Sequence, residues 1–194
     1  MATEFLLPTW TQYHSLARKL ADNILTDKLH IDEIIAISRG GLTLGHIMTD
    51  LLRVPISTFT IQSYTDIQMQ DEVKITKPLA IPLDGKSILL VDDVADRGKT
   101  MTRAIEYLNM FSPKKIYTLT LYYKPHSVYK PDYFAQTTSA WVSFPYEPTE
   151  MIQNLYQSMR KEGKSDTQIQ QFILNLHYTQ EEIDFVKKHY VKKS

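Results

Sequence analysis

Ile88-Leu89-Leu90-Val91-Asp92-Asp93-Val94-Ala95-Asp96-Arg97-Gly98-Lys99-Thr100 is the stretch whose reading decides the fold. It opens on an apolar run of strand length. Two adjacent carboxylates follow, then a third four residues after the first, then a short loop with one glycine. From Thr100 onward Met101, Ala104, Ile105 and Leu108 recur at helical spacing. The stretch therefore predicts strand, loop, helix. Such a loop aims backbone N–H groups and the positive end of a helix dipole at one point, which suits a phosphate. The carboxylates fall at the C-terminal end of the strand, where open α/β sheets bind ligands. A phosphate cradle beside acids implies a phosphorylated, polyhydroxylated ligand held with a divalent cation.

A second unit of the same kind lies upstream. Glu33-Ile34-Ile35-Ala36-Ile37 reads as a buried strand, Ser38-Arg39-Gly40-Gly41 breaks it, and Leu44, Ile47, Met48 and Leu51 form a helical face. Two glycines there permit unusual backbone angles and close approach to a ligand, and Arg39 adds a positive charge. Before this unit, Thr9 with Gln12 forms a capping-box pattern, and Tyr13, Leu16, Ala17, Leu20 and Ile24 share one helical face. His14 and His30 have no partners at ligand spacing and read as surface residues. Pro55 to Ile61 reads as a strand, and the polar segment from Ser63-Tyr64 to Lys77 as a flap or hairpin. Lys115 to Tyr122 is a further strand, with Lys124-Pro125 at its end. Strands alternating with helices predict an α/β fold, a mostly parallel sheet flanked by helices.

From Pro148 the pattern changes to short amphipathic helices. Met151, Ile152, Leu155, Tyr156 and Met159 share a face that Gly163 ends. Ser165 with Gln168 and Thr179 with Glu182 form two more capping boxes, before Ile169, Phe172, Ile173 and Leu176 and before Ile183, Val186 and Tyr190. The expected division is a main domain over 1–147 and a C-terminal helical extension over 148–194, ending in a basic tail.

The chain has 194 residues with 22 basic and 22 acidic side chains, so no global field points to nucleic acid and no acidic excess points to disorder. It has no cysteine, which excludes disulfides, thiolate metal sites and a cysteine nucleophile, and fits a reducing compartment. The start Met1-Ala2-Thr3-Glu4 lacks the marks of a signal peptide, and no apolar run has the length of a membrane span. The expectation is a cytoplasmic protein.

Val91 to Thr100 resembles the phosphoribosyl-pyrophosphate (PRPP) motif of the type I phosphoribosyltransferases. That pattern is an apolar strand, two acids, two apolar or small residues, Asp or a small residue, Thr-Gly, a small residue and Thr. Arg97 departs from it where the family usually has Thr. Ser38-Arg39-Gly40-Gly41 is similar to the pyrophosphate loop of the bacterial and archaeal xanthine/guanine/hypoxanthine members. Trp141-Val142-Ser143-Phe144-Pro145-Tyr146-Glu147 resembles archaeal-type members. The resemblance covers roughly residues 8 to 147 and implies the type I fold, with a small hood over the site.

It also implies a reaction: transfer of the 5-phosphoribosyl group from PRPP to N9 of a 6-oxopurine (guanine, xanthine or hypoxanthine), with release of pyrophosphate, as in purine salvage. PRPP contacts would come from Arg39 and Gly40 and from the run Asp92, Asp93, Val94, Ala95, Asp96, Arg97, Gly98, Lys99 and Thr100. Asp92 and Asp93 would hold the ribose hydroxyls, and Asp93 would also position Mg²⁺. Asp96 would serve as general acid/base at purine N7. Lys124 matches the lysine that donates to the 6-oxo group, Trp141 the aromatic that stacks on the base, and Val142 the backbone that meets the base edge. Ser63, Tyr64 and Lys74 fall in the flexible loop that closes over the reacting atoms; related enzymes often carry a basic residue near Asp71. A homo-oligomer, dimer or tetramer, goes with the family. The alternative is a regulatory protein of the same fold that senses PRPP and binds RNA or DNA. A pyrimidine phosphoribosyltransferase is a third reading.

Overall fold

The strand Ser87–Ala95 is buried from Ser87 through Asp92, as a strand covered on both faces must be. In the computed structural model, which describes residues 4–66 and 69–191, this strand is the fifth of eight. The elements in chain order are β1 (Phe5–Leu6), α1 (Trp10–Thr26), β2 (Glu33–Ser38), α2 (Gly41–Leu52), β3 (Ile56–Asp66), β4 (Met69–Lys77) and β5 (Ser87–Ala95). They continue as α3 (Lys99–Asn109), β6 (Lys115–Tyr123), β7 (Tyr133–Thr137), β8 (Trp141–Val142), α4 (Pro148–Lys161), α5 (Asp166–Asn175) and α6 (Gln180–His189). The chain forms two compact units, Tyr13–Ser139 and Met1–Gln12 with Ala140–Ser194.

The unit Tyr13–Ser139 is built on a six-stranded sheet in the order β4-β3-β2-β5-β6-β7. β3, β2, β5, β6 and β7 run parallel, and only the edge strand β4 is antiparallel, paired with β3. The connection through α2 carries the chain from β2 to β3, and that through α3 carries it from β5 to β6, the opposite way along the sheet. Right-handed crossovers in opposite directions put their helices on opposite faces. Side-chain parity agrees. Ile35 and Ile37 of β2 share a core with Met101, Ala104 and Leu108 of α3. Ile34 and Ala36, on the other face, lie under Gly45 of α2. A Cβ on Gly45 would lie 2.9 Å from both the Ala36 Cβ and Ile56 Cδ1, so glycine is what lets α2 sit this low on the sheet.

The expected strand from Pro55 runs longer than the sequence indicates, through Asp66, and the polar segment after it is the β3–β4 hairpin. The side chains of Ser63 and Tyr64, and residues 67 and 68 of the loop, lie outside what is described. β7 was not anticipated. Asp132 fixes its start: the carboxylate accepts from the Thr118 N–H and Oγ1, both at 2.8 Å, and the Asp132 N–H returns to Thr118 Oγ1 at 2.9 Å.

In the other unit, β1 pairs in parallel with β8, Phe5 opposite Trp141 and Leu6 opposite Val142. Its core joins Met151, Ile152, Leu155 and Tyr156 of α4 to Ile169 and Ile173 of α5 and to Ile183 and Val186 of α6. The capping boxes at Ser165 and Thr179 are both formed, and Gly163, at φ +79°, follows α4. Thr9 and Gln12 exchange the same pair of bonds at the start of α1. Tyr190, expected on the apolar face, is instead half exposed; Lys192 and Lys193 of the basic tail lie outside the described residues. No described helix is long and apolar enough to cross a membrane.

Arg160 of α4 makes a two-pronged contact with Asp166, the first residue of α5: Nε to Oδ1 and Nη2 to Oδ2, each at 2.9 Å. The hydrogen bonds from Arg160 hold the Asp166 carboxyl below its ordinary pKa. A depressed native pKa adds stability above the unfolded value, near about 3.9, which is lost as pH falls through the native one. Asp166→Asn should therefore lower the stability of this unit at neutral pH by about 0.5–1 kcal/mol, the range for a partly exposed pair. In thermal melts the gap to the unmodified protein should close toward pH 3.

Candidate functional site

β2 and β5 are neighbours, and the chain leaves them in opposite directions, so a crevice opens beyond their C-terminal ends. The two sequence motifs meet there. β2 ends at Ser38, Arg39 is exposed beyond it, and α2 starts at Gly41 with Gly40 as its N-cap. The Ser38–Arg39 peptide is cis. β5 ends in Asp92 to Ala95, and α3 starts at Lys99 with Gly98 as its N-cap.

The approach of the first motif to the second is close. A Cβ on Gly40 would lie 2.5 Å from Asp93 Oδ2, and one on Gly41 would strike the Val91 carbonyl and the Asp92 backbone. Gly40 has φ −52°, an ordinary helical angle. The sequence offered two reasons for glycine here, unusual angles and close approach; at Gly40 the second is the operative one. Gly98 needs glycine on both counts: φ is +80°, and a Cβ would lie 2.6 Å from Ser127 Oγ and the Tyr129 backbone N.

Alternation along β5 sends its acids to different sides. Asp93 has the parity of Leu89 and Val91 and faces Gly40; Asp92 has the parity of Ile88 and Leu90. Asp92 is 9% exposed, and its Oδ1 accepts the Asp93 N–H at 3.1 Å. Burial first, then the neighbouring Asp93 charge, pushes the Asp92 carboxyl well above its ordinary pKa. Hard oxygen donors of this kind suit Mg²⁺, which binds through one or two carboxylates and completes its shell with water and phosphate oxygens.

The third acid has company that the sequence did not reveal. Asp96 Oδ1 lies 3.3 Å from Lys124 Nζ and 3.1 Å from His126 Nε2. Lys124 is 8% exposed, a depth at which lysine is almost always paired. Asp96 itself is half exposed, as a group that must meet a ligand can be. Around it, Arg97 and Lys99 are exposed, Val94 and Thr100 half-buried and Ala95 buried. Lys74, on the hairpin, is exposed. Trp141 and Val142 belong to the other unit, where Trp141 is 53% exposed and its backbone N–H donates to the Glu4 carbonyl at 2.8 Å. His126 was missed by sequence reasoning; its one signal was a place two residues beyond Lys124, past the end of a strand that adjoins β5.

The site can bind a phosphate at each of two helix starts, hold a divalent cation at its acids, and move a proton at Asp96. Known proteins point the same way. A family model described as phosphoribosyl transferase domain matches residues 9–150. The xanthine-guanine phosphoribosyltransferase of Idiomarina loihiensis is 31% identical over 144 residues, spanning 72% of this chain and 84% of that protein. That of Gluconobacter oxydans is 34% identical over 151 residues, spanning 74% and 85%. The crystal structure of a purine phosphoribosyltransferase from Pyrococcus horikoshii superposes with a TM-score of 0.68 at 30% identity, covering 74% of this chain and 94% of that one.

Two outcomes follow from this geometry. Gly40→Ala should displace the Asp93 carboxylate and lower ligand affinity at the site, measured by calorimetry, with a smaller effect on the melting temperature. Asp92→Asn keeps the acceptor for the Asp93 N–H while removing a buried charge, so the ligand-free variant should melt at a higher temperature near pH 7. A raised native pKa means the native state holds its proton longer. The unmodified protein therefore loses stability as pH rises from about 4, and the variant's advantage should grow over that range. An advantage that shrinks as pH rises would contradict this account of Asp92.

Proposed function

The chain belongs to the phosphoribosyl transferase family, and we propose that within it the protein transfers the 5-phosphoribosyl group of PRPP to a 6-oxopurine. The observation that carries the choice of base is the Lys124–Asp96 pair. A 6-oxopurine presents O6 and N7 on one edge. A lysine that only donates and a carboxylate that accepts, 3.3 Å apart, match a carbonyl oxygen beside a ring nitrogen carrying a proton. The names of the Idiomarina and Gluconobacter relatives support the same class of base.

In the reaction, N9 bonds to C1′ of the ribose as the C1′–O bond to pyrophosphate breaks. The base must shed one proton, and Asp96 would take it at N7. The 5′-phosphate would lie against the N–H groups of the loop from Val94 through Thr100, ahead of α3, with the Arg97 guanidinium as an added donor. Arg39 and the Gly40 N–H would meet the pyrophosphate. Asp92 and Asp93 would hold the ribose hydroxyls. The cradle at Gly40 that a Cβ would fill, and the paired carboxylates beside it, fit a Mg²⁺ ion held at Asp93. When bound, that ion neutralises the leaving pyrophosphate. Ser63, Tyr64 and Lys74 of the hairpin would close over the reacting atoms and exclude water.

The test is an assay with PRPP, Mg²⁺ and each base in turn, following pyrophosphate release. Turnover is expected with at least one of guanine, xanthine and hypoxanthine, and little with adenine. Adenine puts an amino group where Lys124 donates, so two donors face each other and the lysine's bond to the base is lost, at a cost of roughly 1.5–3 kcal/mol for a bond to a charged group. That is about tenfold to a hundredfold in selectivity. Lys124→Ala should lower efficiency with 6-oxopurines far more than with adenine. A preference for adenine, or an unchanged ratio in the variant, would overturn the assignment.

A further inference from the structure

We propose that His126 is a positioning residue for Asp96, holding the carboxylate in the orientation that presents it to the base. Three observations converge. His126 Nε2 lies 3.1 Å from Asp96 Oδ1. The turn that bears His126 is stitched to both neighbours of Asp96: the Lys124 N–H donates to the Ala95 carbonyl at 3.1 Å, and the Val128 N–H to the Arg97 carbonyl at 3.1 Å. The turn is also closed on itself, by the Ser127 N–H to the Lys124 carbonyl and the Ser127 hydroxyl to the Tyr129 carbonyl, both at 2.9 Å. The backbone thus holds the His126 and Asp96 positions within reach of each other.

The need for such a group follows from the lysine. Lys124 and His126 share the same oxygen, Oδ1, of Asp96. A base whose carbonyl draws the lysine toward itself weakens the lysine's hold on that oxygen. Asp96 is half exposed, so a weakened hold leaves the carboxylate free to turn toward water. His126, donating through Nε2–H, keeps Oδ1 occupied and leaves Oδ2 directed to the N7 proton. The histidine does not touch the base and transfers no proton; it fixes the group that does.

This inference rests on the proposed phosphoribosyl transfer to a 6-oxopurine, and the experiment separates the two. His126 is exposed, so substitution there should leave the fold intact, which a melting curve checks. With the preferred 6-oxopurine, His126→Ala should lower kcat about tenfold to a hundredfold, the scale of a misplaced reacting group. KM for PRPP should stay within about twofold, since the phosphate cradles are untouched. His126→Gln, whose amide N–H reaches the same oxygen, should recover most of the loss. In an Asp96→Ala background, His126→Ala should cost nothing further, because residues acting through one another are not additive. A kcat unchanged in His126→Ala, no recovery by glutamine, or full additivity with Asp96→Ala would each overturn the role of His126 while leaving the transfer reaction standing. Absence of turnover in the unmodified protein with every 6-oxopurine would instead overturn the reading beneath it.

Discussion

The contact on which the site depends is the approach of the Gly40-Gly41 turn to the end of β5. Without side chains at these two positions, α2 begins against the Val91 carbonyl and beside the Asp93 carboxylate. A residue with a Cβ at either position would have to push the helix start away from the strand. The crevice would then widen at the point where its acids and its backbone donors have to act on the same ligand. Gly45 extends the constraint one turn further, where α2 meets Ala36 and Ile56. Helix, strand and loop are positioned by the absence of atoms as much as by packing of those present.

Five of the six described helix starts fall into two kinds, and α4, which begins at Pro148 after Glu147 with no side-chain cap, belongs to neither. Those of α1, α5 and α6 are closed by Thr9, Ser165 and Thr179, whose hydroxyls accept from the backbone three residues on. Those of α2 and α3 begin at glycines, which bring no side-chain oxygen to the first-turn N–H groups. The two glycine-started helices face the crevice between β2 and β5. A helix end that is stabilised from within is a poor receptor for an outside anion, whereas one begun by glycine leaves the site to be completed by ligand oxygens.

Much of this was legible in the sequence because the signals are local. The run from Ile88 to Thr100 states strand, acids, loop and helix within thirteen residues, and the capping boxes each span four. The resemblance of these motifs to a known family then gave the reaction. What was not legible depends on distance along the chain. β1 is two residues long and has no pattern of its own; it exists because Phe5 and Leu6 pair with Trp141 and Val142. β7 is half-buried and begins only because Asp132 binds Thr118 across the sheet. His126 is 30 residues from Asp96, and nothing in the sequence marks their contact until the turn after β6 folds back on the loop after β5. The opposite holds for Tyr190, where a clean helical spacing continued one residue past the end of the helix into an exposed C-cap.

Crowding two acids at the end of a buried strand has an effect beyond recognition. In the ligand-free protein the buried Asp92 carboxyl beside Asp93 is costly to ionise, and a ligand that binds only the folded state there raises its stability by mass action. The fraction of chains transiently open to proteases falls accordingly as the site fills.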